Sequence, residues 1–215
     1  PPMDLGRVEV IKGVASSLYG AGAIGGVVNL VSRRPTTKPE RQLLVNRSAR
    51  GATDLGAWSA APVPETWGFT LLASLNGHQR NDLDNDGWAD APRYERAVVR
   101  PRLYWDNHAG RTLFATAGGT WENRRGGSMP GALLPSIGRP YEEALNTRRG
   151  DAGAAFQTVT AQGIVWNARG SWTARHQDHY LGEVTEGDDR TSGFAELTAR
   201  RAIARHTLVG GIFKI

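Results

Sequence analysis

The sequence contains no cysteine. A disulfide framework and thiolate metal sites are therefore excluded, while the compartment stays open. It also lacks the roughly 18-residue apolar run that a transmembrane helix needs. Membrane-spanning barrel strands are not excluded by this, because they alternate and never build a long apolar run. No basic segment followed by an apolar stretch opens the chain at PPMDLG, and HTLVGGIFKI stops inside a strand pattern. Both ends read as cut, so a fragment is expected, with any signal peptide absent or removed upstream. Lysine is scarce: only Lys12, Lys38 and Lys214 stand among 26 basic residues, the rest being Arg. The formal net charge is +5, but the basic residues are scattered in loops and at alternate positions. The clustered basic face of a nucleic-acid binder is missing. Catalysis is not expected either. Ser16, Ser17, Ser128 and Ser136 lie in no nucleophile elbow, and the adjacent carboxylates Glu142 and Glu143 do not flank a substrate.

Glycine (27 residues) and tryptophan (7) are abundant instead. The first 35 residues are Gly-rich and β-branched. RVEVI (7–11) alternates like a short strand, VASSLY (14–19) fits one helical turn ended by Gly20, and GGVVNLVS (25–32) fits a buried strand. RRPTTKPE (33–40) is a linker broken by Pro35 and Pro39. From residue 41 the period is two. Segments 66–78, 94–106, 111–123 and 163–175 each carry one apolar face and one polar or small face, the polar face of 94–106 and 163–175 bearing Arg. Less regular strands are expected near 41–50, 54–61, 150–161, 190–203 and 206–215. The regular segments exceed the modal soluble strand of about 5–6 residues and match the 9–11 or so that cross a bilayer. Trp67, Trp105, Trp121, Trp166 and Trp172 lie toward strand ends on the apolar face, as in an interfacial aromatic girdle.

Connection lengths alternate. PVPE (62–65), NHAG (107–110) and the break near 162 are short, whereas 79–93, 124–149 and 177–189 are long. Short periplasmic turns and long external loops give an outer-membrane barrel this rhythm, with a tight first hairpin near Gly51 as its exception. The expected fold is all-β: a partial transmembrane antiparallel β-barrel, porin-like, with about eight or nine strands. A secreted soluble β-rich domain binding calcium or glycans is the alternative, since any sheet with one wet face alternates. It requires the apolar faces of 66–78 and 163–175 to pack on another sheet.

Residues 7–35 carry a denser signal. They supply Arg7-Val8-Glu9-Val10, Lys12-Gly13, Leu18-Tyr19-Gly20, Gly25-Gly26-Val27-Val28-Asn29-Leu30 and Arg33-Arg34-Pro35. This segment resembles the closing part of the plug domain of TonB-dependent outer-membrane receptors, with Gly13, Tyr19, Gly20, Gly25, Gly26 and Asn29 as its motif positions. The resemblance implies a division into 1–35 as the C-terminal part of the plug, 36–40 as linker and 41–215 as the N-terminal part of the barrel. It implies a plug inside a barrel of about 22 strands, in a bacterial outer membrane with lipid around it. The implied partners are TonB and its inner-membrane motor, engaged through a segment upstream. The implied cargo is a scarce nutrient, most simply a ferric siderophore, with cobalamin, haem or sugars as alternatives. Arg7, Glu9, Lys12, Arg33 and Arg34 are the charges such a plug would pair with the barrel wall.

Two further sets are candidates. Asp82, Asp84 and Asp86 alternate before Gly87, with Asp90 beyond, like the start of a calcium loop; the twelfth position is Arg93 where that loop wants Glu. A structural calcium is the one cofactor this allows. Arg80, Trp88, Arg93, Tyr94, Arg124, Arg125, Arg139 and Tyr141 lie in or beside the expected external loops, and Arg with aromatics suits an anionic, ring-bearing ligand. His176 and His179 read as surface residues, for no third metal ligand accompanies them.

Overall fold

The computed structural model describes residues 3–13, 25–63, 66–133, 138–203 and 205–214. The helical turn expected over 14–19 lies outside them. Two antiparallel sheets are formed. The small one pairs β1 (Leu5–Lys12) with β2 (Gly26–Ser32). The large one has nine strands in chain order: β3 (Glu40–Arg47), β4 (Thr53–Val63), β5 (Trp67–His78), β6 (Arg93–Asp106), β7 (Arg111–Gly127), β8 (Glu142–Val159), β9 (Ile164–Leu181), β10 (Val184–Ile203) and β11 (His206–Lys214). Each strand pairs with its sequence neighbours, the meander of an up-and-down barrel wall.

The connections separate cleanly by end. Residues 64–66, 107–110, 160–163 and 204–205 close the strands at one end, and all are short. Residues 48–52, 79–92, 128–141 and 182–183 lie at the other. Two of the three expected long loops need correction. The one at 124–149 shrinks to 128–141, because β7 and β8 extend into it. The one at 177–189 is no loop: β9 and β10 pair from Leu181–Val184 onward around the two-residue turn Gly182-Glu183. Gly182 has φ 61°, which suits glycine in so tight a turn. The sequence there, HQDHYLGEVTEGDDR, is polar on both faces because both faces are wet, and such a stretch mimics a loop in its composition.

The two faces of the large sheet differ in kind. Asp4, Arg33 and Pro35 lie against one of them, touching Trp58, Gly68, Arg102 and Tyr104. This face holds the buried residues of the junction: Trp58 (1% exposed), Ala60, Thr70 and Arg102. The alternate residues make the opposite face. Its cross-strand rows run Leu55, Leu75, Ala97 and Trp121, then Trp67, Trp105, Leu113 and Phe156. Leu43, Val45, Phe69, Leu71, Leu75, Val99, Leu103, Trp166 and Trp172 are all exposed there. A water-soluble sheet buries such a face; here, among the described residues, no second sheet covers it. The belt runs from Trp67 to Leu75 in β5, from Ala97 to Trp105 in β6 and from Leu113 to Trp121 in β7, about nine residues each, the depth of a bilayer core.

Candidate functional site

The junction between the small sheet and the barrel wall is built from four contacts. Arg33 follows β2, and its backbone N–H donates to Asp4 O at 2.7 Å, closing the open end of the β1–β2 hairpin. The Arg33 guanidinium lies 3.9 Å from the Trp58 ring centroid and donates to Glu40 Oε2 (2.5 Å) and Gln42 Oε1 (3.0 Å) of β3. Stacking, charge and a planar fork are combined here, which lysine cannot reproduce. Arg34 places its guanidinium 5.9 Å from the Tyr104 ring. Pro35 presses on Gly68, where an added Cβ would stand 2.6 Å from Pro35 Cγ. At the other strand of the hairpin, Asp4 accepts from Arg102 Nη2 at 2.7 Å; Arg102 is 8% exposed. Sequence reading missed Asp4, Trp58, Gly68 and Arg102. Alternation placed Arg102 on the wet face, but nothing local marks a partner 98 residues away.

The remaining charges of the small sheet stay within it or near it. Arg7 Nε donates to Glu9 Oε1 (2.6 Å), and Asn29, opposite Glu9 in register, donates to its other oxygen (2.7 Å). These bonds, Arg7 first and Asn29 second, hold the Glu9 carboxyl below its ordinary value. Lys12 sits opposite Gly26 at the far end of the ladder. Gly26, with φ 125°, brings its Cα so near the Ile11 carbonyl that a Cβ would stand 2.5 Å from it. Gly13 and Gly25 flank that end, and Tyr19 and Gly20 lie outside the described residues.

At the long-loop end, loop 79–92 folds onto Ser128 and Tyr141, the two ends of the next connection. Arg80 Nη1 donates to Ser128 O (2.8 Å), Trp88 bridges to Ser128, and the Trp88 and Tyr141 rings stack at 5.8 Å. Arg139 pairs with Glu183 at the β9–β10 turn (2.6 Å). Below them on the plug-side face is a cavity of about 560 Å³ lined by Asp54, Asn76, His78, Tyr94, Arg96 and Arg124. His78 and Tyr94 stack there at 5.9 Å, nearly parallel. Arg124 donates to Glu122 (2.6 Å), which also faces Arg96. Arg93 and Arg125 are register partners on the opposite, belt-side face, and Arg93 pairs with Glu95. The structure therefore divides the eight expected ligand residues between two faces and a loop cluster.

Asp82, Asp84 and Asp86 do converge, with ligand-type oxygens within 4.8 Å of one another. Their carboxylates also cap the loop's own backbone. Asp82 accepts from the Asn85 and Gly87 amides and Asp86 from that of Trp88, each within 3.0 Å. Asp90 accepts from Leu83 (2.7 Å). The Asp86 amide draws the Asp84 carboxyl down. Desolvation and the charges of Asp86, Asp90 and Asp82 outweigh it, so Asp84 titrates above its ordinary value. His176 and His179 share no site: His176 pairs with Asp189 and Asp178, and His179 with Glu143.

Comparison with known proteins decides what this architecture is. A sequence model of the TonB-dependent Receptor Plug Domain matches residues 1–27. The ferrioxamine receptor of Yersinia enterocolitica is 32% identical over 206 residues, covering 88% of this chain. The chain belongs to the TonB-dependent receptors. A second receptor of this kind, the ferric enterobactin receptor PirA of Pseudomonas aeruginosa, is 36% identical over 90 residues, or 39% of the chain. The chain spans 28% and 12% of the lengths of those two proteins. Among solved structures, the FpvAI–pyocin S2 complex superposes with a TM-score of 0.64 at 15% identity, covering 98% of this chain and 32% of that one. At that identity it establishes the shared fold. The inside-out sheet is thus a stretch of receptor barrel wall in a bacterial outer membrane. Its short-turn end faces the periplasm and its long loops face outward.

Proposed function

We propose that this chain is part of a receptor for TonB-energised uptake of a scarce nutrient, with a ferric siderophore as cargo. The single observation that carries the reading is the seating of the plug end on the polar face of an otherwise inside-out sheet. A lumen obstructed in this way conducts only if the plug yields, and that requires an energy source across the periplasm. In this reading TonB and its inner-membrane motor supply it.

The cargo reading rests on relatives named as ferrioxamine and ferric enterobactin receptors, and on the chemistry of the lumen cavity. Tyr94 and His78 offer stacking faces, and Arg96 and Arg124 offer positive charge beneath the loops. An anionic, ring-bearing metal chelate suits those groups. Arg80, Trp88 and Tyr141 frame the loop cluster above. Arg93 and Arg125, on the belt side, are left out of the ligand set.

The test is uptake of radio-labelled iron, supplied as several ferric siderophores, by cells with and without the complete gene. Loss of at least one ferric-siderophore activity is expected. Unchanged uptake of every chelate, with loss for cobalamin, haem or an oligosaccharide, would transfer the cargo assignment to that class. Tyr94→Ala with Arg124→Ala is expected to weaken binding of the transported chelate roughly 10- to 100-fold, two lost contacts of about 0.7–1.4 kcal/mol each.

A further inference from the structure

Arg100 and Arg102 stand two residues apart on the plug-side face of β6, and their guanidinium forks are used unequally. Arg100 reaches across β7 to Asp151 of β8 with both terminal nitrogens, Nη1 to Oδ2 at 2.6 Å and Nη2 to Oδ1 at 2.8 Å. Gly118 gives it the way over, since any Cβ there would collide with the guanidinium. Arg149 also faces Asp151, at 3.9 Å, so that carboxylate is already shared by two arginines. Arg102 is the more deeply buried of the pair on β6 and holds a single oxygen. Its Nη2 donates to Asp4 Oδ2, while its Nη1 is buried with no hydrogen-bond partner among the described residues.

Other buried donors gather beside it. Thr70 is the register partner of Arg102 and is fully buried, and its Oγ1 also has no partner among the described residues. Trp58, one row outward on the same face, buries its Nε1 in the same condition. Native interiors leave few such groups unpaired, because each forfeits its bonds to water. Three groups able to donate, against one carboxylate oxygen, make a surface that suits an oxyanion. Asp4 meets that demand only in part. A pair of oxygens on one planar group would engage both terminal nitrogens of Arg102. Asp4 is also tied to the strap formed by Arg33, Arg34 and Pro35, through the bond from Arg33 N to Asp4 O. When the strap lifts, Asp4 goes with it, and Asp151 is committed to Arg100.

We infer that Arg102, with Thr70 beside it, is an oxyanion seat in the lumen wall, held by Asp4 while the strap is down and taken by a pair of chelate oxygens as the strap lifts. The identity of this second occupant rests on the cargo reading above. A buried guanidinium stripped of its only partner is strongly destabilising. Exchange of one carboxylate oxygen for two cargo oxygens keeps Arg102 paired throughout, so cargo in the lumen eases the opening. The exchange also fixes an order of events. Asp4 regains Arg102 only after the chelate has moved on, and the strap then closes behind it.

Two measurements on the full-length receptor test this. In the first, crystals are soaked in selenate and read by anomalous scattering at the selenium edge. Selenate is expected on Arg102 and Thr70 in Asp4→Ala and not in the wild type, where Asp4 holds the seat. No selenate there in Asp4→Ala overturns the proposal. Selenate that persists in Asp4→Ala with Arg102→Gln is an adventitious ion only, and overturns it too. In the second, ferric-chelate uptake is followed in energised cells. Arg102→Lys keeps a charge for Asp4 and loses the fork; its maximal rate is expected to fall about tenfold, with the half-saturating concentration within about twofold of wild type. Thr70→Val keeps both shape and the Asp4–Arg102 pair, and is expected to lower the rate about threefold. Heat-modifiable migration in gels verifies that each variant folds. Wild-type maximal rates in both variants overturn the exchange. Selenate seated as expected, in a receptor that carries no ferric chelate, overturns the cargo reading and the second occupant with it, and upholds the oxyanion seat.

Discussion

At Gly68 a single hydrogen separates the barrel wall from the ring of Pro35. Gly68→Ala places a methyl 2.6 Å from Pro35 Cγ, so either the strap lifts or β5 bends. Overpacking of this kind costs about 1–3 kcal/mol. The strap is expected to become cleavable near residues 33–36 in limited proteolysis of the full receptor, while heat-modifiable migration of the barrel is retained. Arg33 makes a different demand. Arg33→Lys keeps the charge and loses the fork over Trp58 and Gln42. It is expected to cost nearly as much as Arg33→Ala, about 1–2 kcal/mol for a partly exposed site, measured as a lower denaturant midpoint for release of the strap. A lysine that restores full stability would show that charge alone holds this joint.

Among the elements, strands were more legible than loops. The segments 66–78 and 94–106 match β5 and β6 to within about a residue, because alternation is strong wherever one face meets lipid and the other water. Once a strand leaves the bilayer, both faces are wet and the alternation fades. That is why the ends of β9 and β10 read as a loop over 177–189. The family motif in 7–35 identified the plug end from its residues alone. The joint was not legible, since Asp4–Arg102 and Pro35–Gly68 are tertiary pairs with no local signature. In loop 79–92 the acidic knot makes a pH prediction. Asp84 has a folded-state value raised above its ordinary 3.8, so its neutral form favours the fold. Its contribution is fully present below 3.8 and is lost as pH rises through the higher folded value. Hydrogen-exchange protection of the Asn85 and Gly87 amides should therefore fall as pH rises above Asp84's ordinary 3.8, once intrinsic rates are divided out. Asp84→Asn should flatten that decline. Asp82→Ala should abolish the protection at every pH, because its oxygens are the acceptors of both amides.

Across the whole molecule the usual ordering of polarity is reversed, and substitutions should obey the reversed rule. Ala152 stands mid-belt, opposite Trp172 on the lipid side, whereas Ser171, one residue away along β9, faces the lumen. Ala152→Arg is expected to destabilise the full barrel by about 2–4 kcal/mol in refolding equilibria with lipid vesicles. Ser171→Arg should change stability by less than about 1 kcal/mol in the same measurement. Similar losses at both positions would mean that the belt-side face is not the lipid face.

The bond between Arg33 N and Asp4 O joins the two ends of the hairpin that lie nearest the wall. The mechanics of the joint follow from that placement. Tension arriving upstream of Asp4 and resisted at Arg33 loads the β1–β2 ladder at one end only. Its rungs then open in succession, Leu5–Ser32 first and Lys12–Gly26 last, as a zipper peels. Pulled from its two opposite ends, the same ladder would have to shear every rung at once. The Asp4–Arg102 pair stands at the zipper's slider, so it sets the force at which peeling begins.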